Sequence, residues 1–252
     1  MHFDDYIKLD HEKQQVVFRG RYILNSKRIY DIIKKCPKHK RLHKFVHSIG
    51  YESLSCLEDY TKYYDIQEGD VVIDAGAHVG VFTRKFSEAV GSTGKVLAFE
   101  PDFRLAGLLT QNSDDLKNVN IYPYGLWDSE DYRALHIPGK YWGSSSFTHF
   151  HSDDTQWNPV RVVTLDQIID EQNIGKVNFV KMDVEGSEIR ILKGMKKTLR
   201  NVDALAIASY HYMEDSITER TQKHVAKFLR DESFNIREEV GYDGEIVYAN
   251  RR

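Results

Sequence analysis

The chain has 252 residues, of which 41% are hydrophobic and 29% charged, with 5 Pro, 2 Cys and a formal net charge of −3. At this length one fold buries about 70 to 75% of the surface its unfolded chain exposes, so a single core held by packing alone is expected. Cys36 and Cys56 are too few for a disulfide scaffold, the composition excludes a collagen-like or low-complexity chain, and no run of about 18 apolar residues offers a membrane-spanning helix.

Residues 1–68 read as a basic, mainly helical extension. Their opening, MHFDDYIKLDHEK, has neither the basic start nor the apolar stretch of a secretory signal, so a cytoplasmic protein is expected, with peripheral contact at a membrane surface left open. Lys27, Arg28, Lys34, Lys35, Lys38, Lys40, Arg41 and Lys44 fall within 18 residues whose single acid is Asp31, which gives this segment +7 against −10 for the rest. Such a stretch is either a solvated helical face lying on the acidic body or a surface for an anionic partner, such as a lipid headgroup or an acidic glycan. Nucleic acid fits less well, because no helix-turn-helix, zinc-finger or aromatic RNA-binding motif is present. Cys36, His39, His43 and His47 would share one helical face, either a His-rich surface or a metal stripe.

From Gly69 the pattern changes to short β-branched runs alternating with helical segments, the mark of βαβ units. Strands are predicted at 71–74 and 95–100, helices at 79–90 and 103–116, and a third strand from Asn118. VNFVKMD (177–183) is a fourth strand, EGSEIRILKGMKKTL (185–199) a helix and 204–210 a fifth strand. A helix at 218–230 precedes two last strands in FNIREEVGYDGEIVYAN, joined by a turn at Asp243-Gly244 that sets an antiparallel strand into the sheet. The fold class is therefore α/β, with a doubly wound, mostly parallel sheet over 69–252. About fifty residues separate the third strand from the fourth, more than one connection normally uses. The aromatic-rich part at 126–159 holds Trp127, Tyr132, Tyr141, Trp142, Phe147, Phe150 and Trp157, with Ser144, Ser145 and Ser146. It is either a satellite apolar cluster or an acceptor pocket, in which Trp127, Tyr141, Trp142, Ser144 and Ser145 would bind substrate.

The first strand ends in VIDAGAHVG. A glycine-bearing turn between a strand and a helix is expected to present backbone N–H groups to a polar ligand. His78 stands where a dinucleotide fingerprint needs glycine, which argues against a nicotinamide oxidoreductase. Asp74 at the strand end repels a diphosphate but suits a ligand with an ammonium and a sulfonium. Glu100, followed by Pro101, ends the second strand, where an acid can accept both hydroxyls of a ribose. A nucleoside with a cationic tail, such as S-adenosylmethionine, meets these requirements.

Taken together, VVIDAGAHVGVFT, LAFEPD, VTLD, FVKMDVEGSEIRILKGM and IASYH resemble the FkbM family of class I S-adenosylmethionine-dependent methyltransferases over about 69–250. The resemblance implies a seven-stranded sheet and methyl transfer, often to a hydroxyl of a sugar, glycolipid or natural product. It also implies that Asp74, Gly76 and Gly80 lie at the methionine part of the cofactor, Glu100 on the ribose, and Gly125 and Leu126 near the adenine, with Ala77, His78 and Pro101 as further cofactor-binding candidates. His78 departs from the Asn usual at that position.

A sugar hydroxyl is hardly ionised at neutral pH, so its methylation needs a base or a metal ion, whereas a uronic acid carboxylate needs neither. Asp183, Glu185 and His211, at neighbouring strand ends, are the candidates for the base, and Asp183 also borders the cofactor. A divalent cation on Asp183 and His211 is the lesser alternative. Asp183 and Glu185 also read as a helix start, with Asp183 as its cap. A binding module that keeps the cofactor fold without turnover is the alternative from another class.

Overall fold

The computed structural model describes residues 7–13, 15–18, 22–24, 59–137, 145–148, 156–214, 216, 218–241 and 244–251. Within the N-terminal extension, the described residues up to 24 form strands and residues 59–61 are helical. These strands are β1 (Ile7–Asp10), β2 (Gln15–Phe18) and β3 (Tyr22–Leu24), paired as an antiparallel meander. The basic stretch 27–44, with Cys36, His39 and His43, and His47 beyond it lie outside the described residues.

The main sheet begins with β4 (Val71–Ala75), followed by α1 (Val81–Val90), β5 (Lys95–Phe99), α2 (Phe103–Asn112) and β6 (Val119–Tyr122). β4 and β5 are almost wholly buried because helices cover both faces, which is why they are continuous apolar runs rather than alternating ones. The aromatic-rich region forms its own small sheet. β7 (Gly125–Leu126) runs parallel to β9 (Gln156–Val163), and β8 (Asp131–Ile137) pairs antiparallel with β9.

Thr164 caps α3 (Leu165–Glu171) by accepting from the Gln167 N–H at 3.1 Å, and β10 (Val177–Met182) follows. The single helix expected at 185–199 is two short ones, α4 (Glu188–Lys193) and α5 (Lys196–Leu199). They separate at Gly194, where the chain passes so close to Trp127 that a Cβ would lie 1.9 Å from the Trp127 carbonyl oxygen. The chain closes with β11 (Val202–Ala208), α6 (Gln222–Asp231), β12 (Asn235–Val240) and β13 (Glu245–Asn250).

The seven strands lie in the order β12-β13-β11-β10-β4-β5-β6. All are parallel except β13, which runs antiparallel to both neighbours, as the terminal hairpin predicts. Strand order reverses between β4 and β10, so the ends of these two strands open a crevice at the switch point. One face of the sheet packs Leu126, Ile191, Leu192 and Val225; the other packs Phe86, Phe179 and Tyr248. Tyr60, Tyr63, Tyr64 and Ile66 join this second layer, so the folded unit starts ahead of the expected boundary at Gly69.

Candidate active site at the carboxyl edge of the sheet

β4 turns into α1 through two glycines in left-handed backbone. At Gly76 (φ 76°) a Cβ would lie 1.8 Å from the Asp183 carbonyl oxygen, so the loop rests directly on the end of β10. At Gly80 (φ 90°) it would meet Leu109 of α2 at 2.7 Å. The amides of this turn are used within the fold. Those of Gly76 and Ala77 both donate to the Phe99 carbonyl at 3.0 Å, that of His78 to Glu100 Oε2 at 2.8 Å and that of Gly80 to the Ala77 carbonyl at 2.9 Å. The expected cradle of free N–H groups is therefore absent at these four positions.

What the turn presents instead is acidic. Glu100 stands just beyond β5 with Oε1 accepting from the Asp102 N–H at 2.9 Å and Oε2 from His78. Burial pushes its carboxyl up to about 7, although both amide bonds oppose the rise. Each oxygen keeps a second lone pair with which to accept a ribose hydroxyl. Pro101 links it to Asp102, whose side chain caps α2 at the Arg104 N–H, 3.0 Å away. His78 has positive φ (53°), and its Nε2 is shielded from solvent without a hydrogen-bond partner. Burial, then the nearby Lys181 ammonium, lowers its ring to about 4, so it is neutral.

Asp74 is fully buried beneath the turn. Its Oδ2 accepts from Thr83 Oγ1 at 2.6 Å, and its Oδ1 lies 3.3 Å from Lys181 Nζ. The same ammonium donates to the Gly76 carbonyl at 2.6 Å and the Ala75 carbonyl at 3.4 Å. Asp74 thus balances a buried lysine. Lys181 opens the family-like run KMDVEGSE but was given no role of its own, although a lysine inside the apolar run VNFVKM is the signal that could have marked it.

Gly125 and Leu126 are also buried, Leu126 in the main core and Gly125 beneath Phe147, whose ring a Cβ would meet at 2.6 Å. Trp127, expected to bind substrate, has no exposed surface, and the Arg133 and Arg190 guanidiniums lie 4.4 and 5.6 Å from its ring centroid. Ser145 Oγ donates to Asp102 Oδ2 at 2.9 Å and so ties the insertion to the cap of α2. Tyr141, Trp142 and Ser144 lie outside the described residues.

The other three candidates converge. Asp183 follows β10, Glu185 lies two residues on and His211 comes after β11. His211 Nε2 is 3.5 Å from Asp183 Oδ1 and 3.7 Å from Glu185 Oε2, and Nδ1 is 2.6 Å from Glu188 Oε1. Burial opposes charge on this imidazole, but Glu188, Glu185 and Asp183 outweigh it and raise its pKa. Burial likewise raises Glu185, only partly offset by His211. Glu185 has left-handed backbone (φ 51°), held by Ser146 Oγ and Thr148 Oγ1, which donate to its carbonyl at 2.7 and 3.1 Å. Tyr60 Oη donates to Asp183 Oδ2 at 3.1 Å. Neither acid is a helix cap, since α4 starts at Glu188 behind Ser187. Tyr60 and Glu188 were missed: Tyr60 precedes the motif-bearing region, and Glu188 reads in sequence as an ordinary first-turn acid of a helix.

Residues 74–242 match the family model described as the Methyltransferase FkbM domain. The chain belongs to the FkbM methyltransferase family. The hexuronic acid methyltransferase AglP of Haloferax volcanii is 28% identical over 180 residues, covering 68% of this chain and 72% of that protein. The 2-O-methyltransferase NoeI of Sinorhizobium fredii is 26% identical over 176 residues, 64% of this chain and 72% of that one. In fold the chain resembles Aeropyrum pernix fibrillarin solved with bound S-adenosyl-L-methionine, with a TM-score of 0.50 and 14% identity over 79% of this chain and 74% of that one. The methyl donor of this FkbM protein is S-adenosylmethionine. Its residues fit that cofactor: Glu100 offers hydroxyl-accepting oxygens, and the orphaned His78 Nε2 offers a further polar contact.

Proposed function

We propose that this protein transfers a methyl group from S-adenosylmethionine to a hydroxyl of a saccharide, and that Asp183, Glu185 and His211 activate that hydroxyl. The carrying observation is the convergence of two carboxylates and one imidazole, the imidazole backed by Glu188, two residues from the glycine turn's contact with Asp183. When bound, the cofactor supplies an electrophilic methyl on a sulfonium, which leaves as a neutral thioether. The chain's own task is alignment and proton removal. Glu100 and His78 hold the adenosyl end, with Asp74 and Lys181 fixing the turn from below. The cluster receives the hydroxyl proton as the acceptor oxygen bonds to the methyl carbon. Tyr60 and Glu188 position its two ends.

The names of the two curated relatives support a saccharide acceptor, whether free or lipid-linked. Their difference, hexuronic acid against a 2-O position, leaves two attachment points to separate. Mass spectrometry of products from a neutral sugar, a uronic acid and their methyl-blocked forms tests this. An ether methyl on a hydroxyl is expected; an ester methyl alone would contradict it. Single-turnover transfer by His211→Ala at saturating cofactor is expected to fall by about 10²- to 10⁴-fold, and an unchanged rate would remove His211 from the mechanism.

A further inference from the structure

We propose that Asp183, Glu185 and His211 hold one divalent cation of the Mn²⁺ or Mg²⁺ type, with Glu188 as the positioning residue for the imidazole. The inference deepens the proposed hydroxyl methylation and rests on the same cluster. One ligand atom from each of the three residues lies within 4.8 Å of the other two. An octahedral ion with bonds of about 2.1 Å needs neighbouring ligands about 3 Å apart. The separations of 3.5 and 3.7 Å from His211 Nε2 therefore need only small movements of Asp183 and Glu185, whose side chains are 28% and 25% exposed.

A second observation points to a ligand independently of the acidic character. His211 is only 6% exposed, and its Nε2 is buried, makes no hydrogen bond and points at both carboxylates. Asp183 Oδ1 on the opposite side is also buried without a hydrogen-bond partner. These are the two atoms a cation would join. Glu188, wholly buried, occupies the other ring nitrogen at 2.6 Å, the carboxylate–imidazole arrangement that orients metal-bound histidines. Among the described residues, no lysine or arginine pairs with any of the three carboxylates, and the ion pairs they form are all with His211.

Two carboxylates and one imidazole suit a hard cation that tolerates one nitrogen, for which Mn²⁺ is the best probe. Three protein ligands on one side leave coordination positions for water and for acceptor oxygens, so the site would favour a substrate with adjacent hydroxyls.

The test uses the full chain, stripped with chelator and titrated with Mn²⁺ while the paramagnetic resonance of the free aqueous ion is followed. One saturable site per chain is expected. Asp183→Asn and Glu185→Gln should each weaken it at least ten-fold, and Glu188→Gln by about ten- to a hundred-fold, with circular dichroism melts confirming that each variant is folded. Calorimetry with S-adenosylhomocysteine on the stripped protein runs in parallel. S-adenosylhomocysteine binding without Mn²⁺ binding overturns the cation site and leaves the methyltransferase reading standing. Mn²⁺ binding without product binding does the reverse. Binding unaffected by the variants also overturns the site, because it would be surface adsorption.

Discussion

Glu188 Oε1 lies 2.6 Å from His211 Nδ1, and both side chains are closed off from solvent. A helix residue and a strand-end residue 23 positions apart are thus locked together. The bond fixes the orientation of the imidazole, so Nε2 is the atom that faces the crevice.

Replacing Glu188 with Gln should slow methyl transfer by about ten- to a hundred-fold while leaving the KM for S-adenosylmethionine nearly unchanged, because Glu188 does not face the Glu100 end of the site. Steady-state kinetics with each substrate varied in turn separates the two constants. An equal loss in the cofactor KM would mean that the bond merely supports the fold.

Lys181→Met should cost about 3 to 5 kcal/mol in denaturant unfolding, because it leaves the Asp74 carboxylate buried without its cation. Adding Asp74→Asn should recover much of that loss, since removing both charges avoids the unpaired one. A double variant no better than Lys181→Met would show that the pair is not the main role of this lysine.

Gly76→Ala is expected to destabilise the chain by more than about 2 kcal/mol and to abolish cofactor binding. The new Cβ has no room beside the Asp183 carbonyl, and that carbonyl belongs to the strand end carrying the cluster. Gly107, on α2 with nothing near its Cβ position, provides the control: Gly107→Ala should leave binding intact.

The sheet was legible in the sequence because its central strands are largely apolar runs and the last two strands flank a turn signal. The single antiparallel strand followed from that hairpin. The site was half legible. Asp183, Glu185 and His211 could be placed together because strand ends meet at one edge, whatever the helices do. Tyr60 and Lys181 could not, since only the folded layers bring a tyrosine from ahead of the first strand against Asp183 and turn a strand lysine under a loop. The place of Trp127 was open in the sequence for a related reason. Aromatic and apolar residues next to small polar ones read equally well as a pocket or as packing, and here the small sheet of β7, β8 and β9 buries them.

Glu100 predicts a pH dependence. Burial raises it to about 7 from an ordinary 4.5, so between those values the folded chain retains a proton that the unfolded chain has lost. Its effect on stability is therefore most favourable below about 4.5 and is lost as pH rises to 7. Cofactor binding has the opposite sign, because ribose hydroxyls donate to the ionised form. Affinity for S-adenosylhomocysteine should fall as pH drops below about 7, by up to about ten-fold per pH unit, and Glu100→Gln should flatten that profile.

The central claim is that an adenosyl ligand lies at the rim formed by the ends of β4, β5 and β10, with its ribose on Glu100. Titration calorimetry of ligand-stripped, folded protein with S-adenosylhomocysteine tests it most directly. One molecule per chain should bind, and Glu100→Ala should weaken that binding by at least ten-fold. No heat from wild-type protein whose circular dichroism shows an intact fold, or equal affinity in the variant, would contradict it.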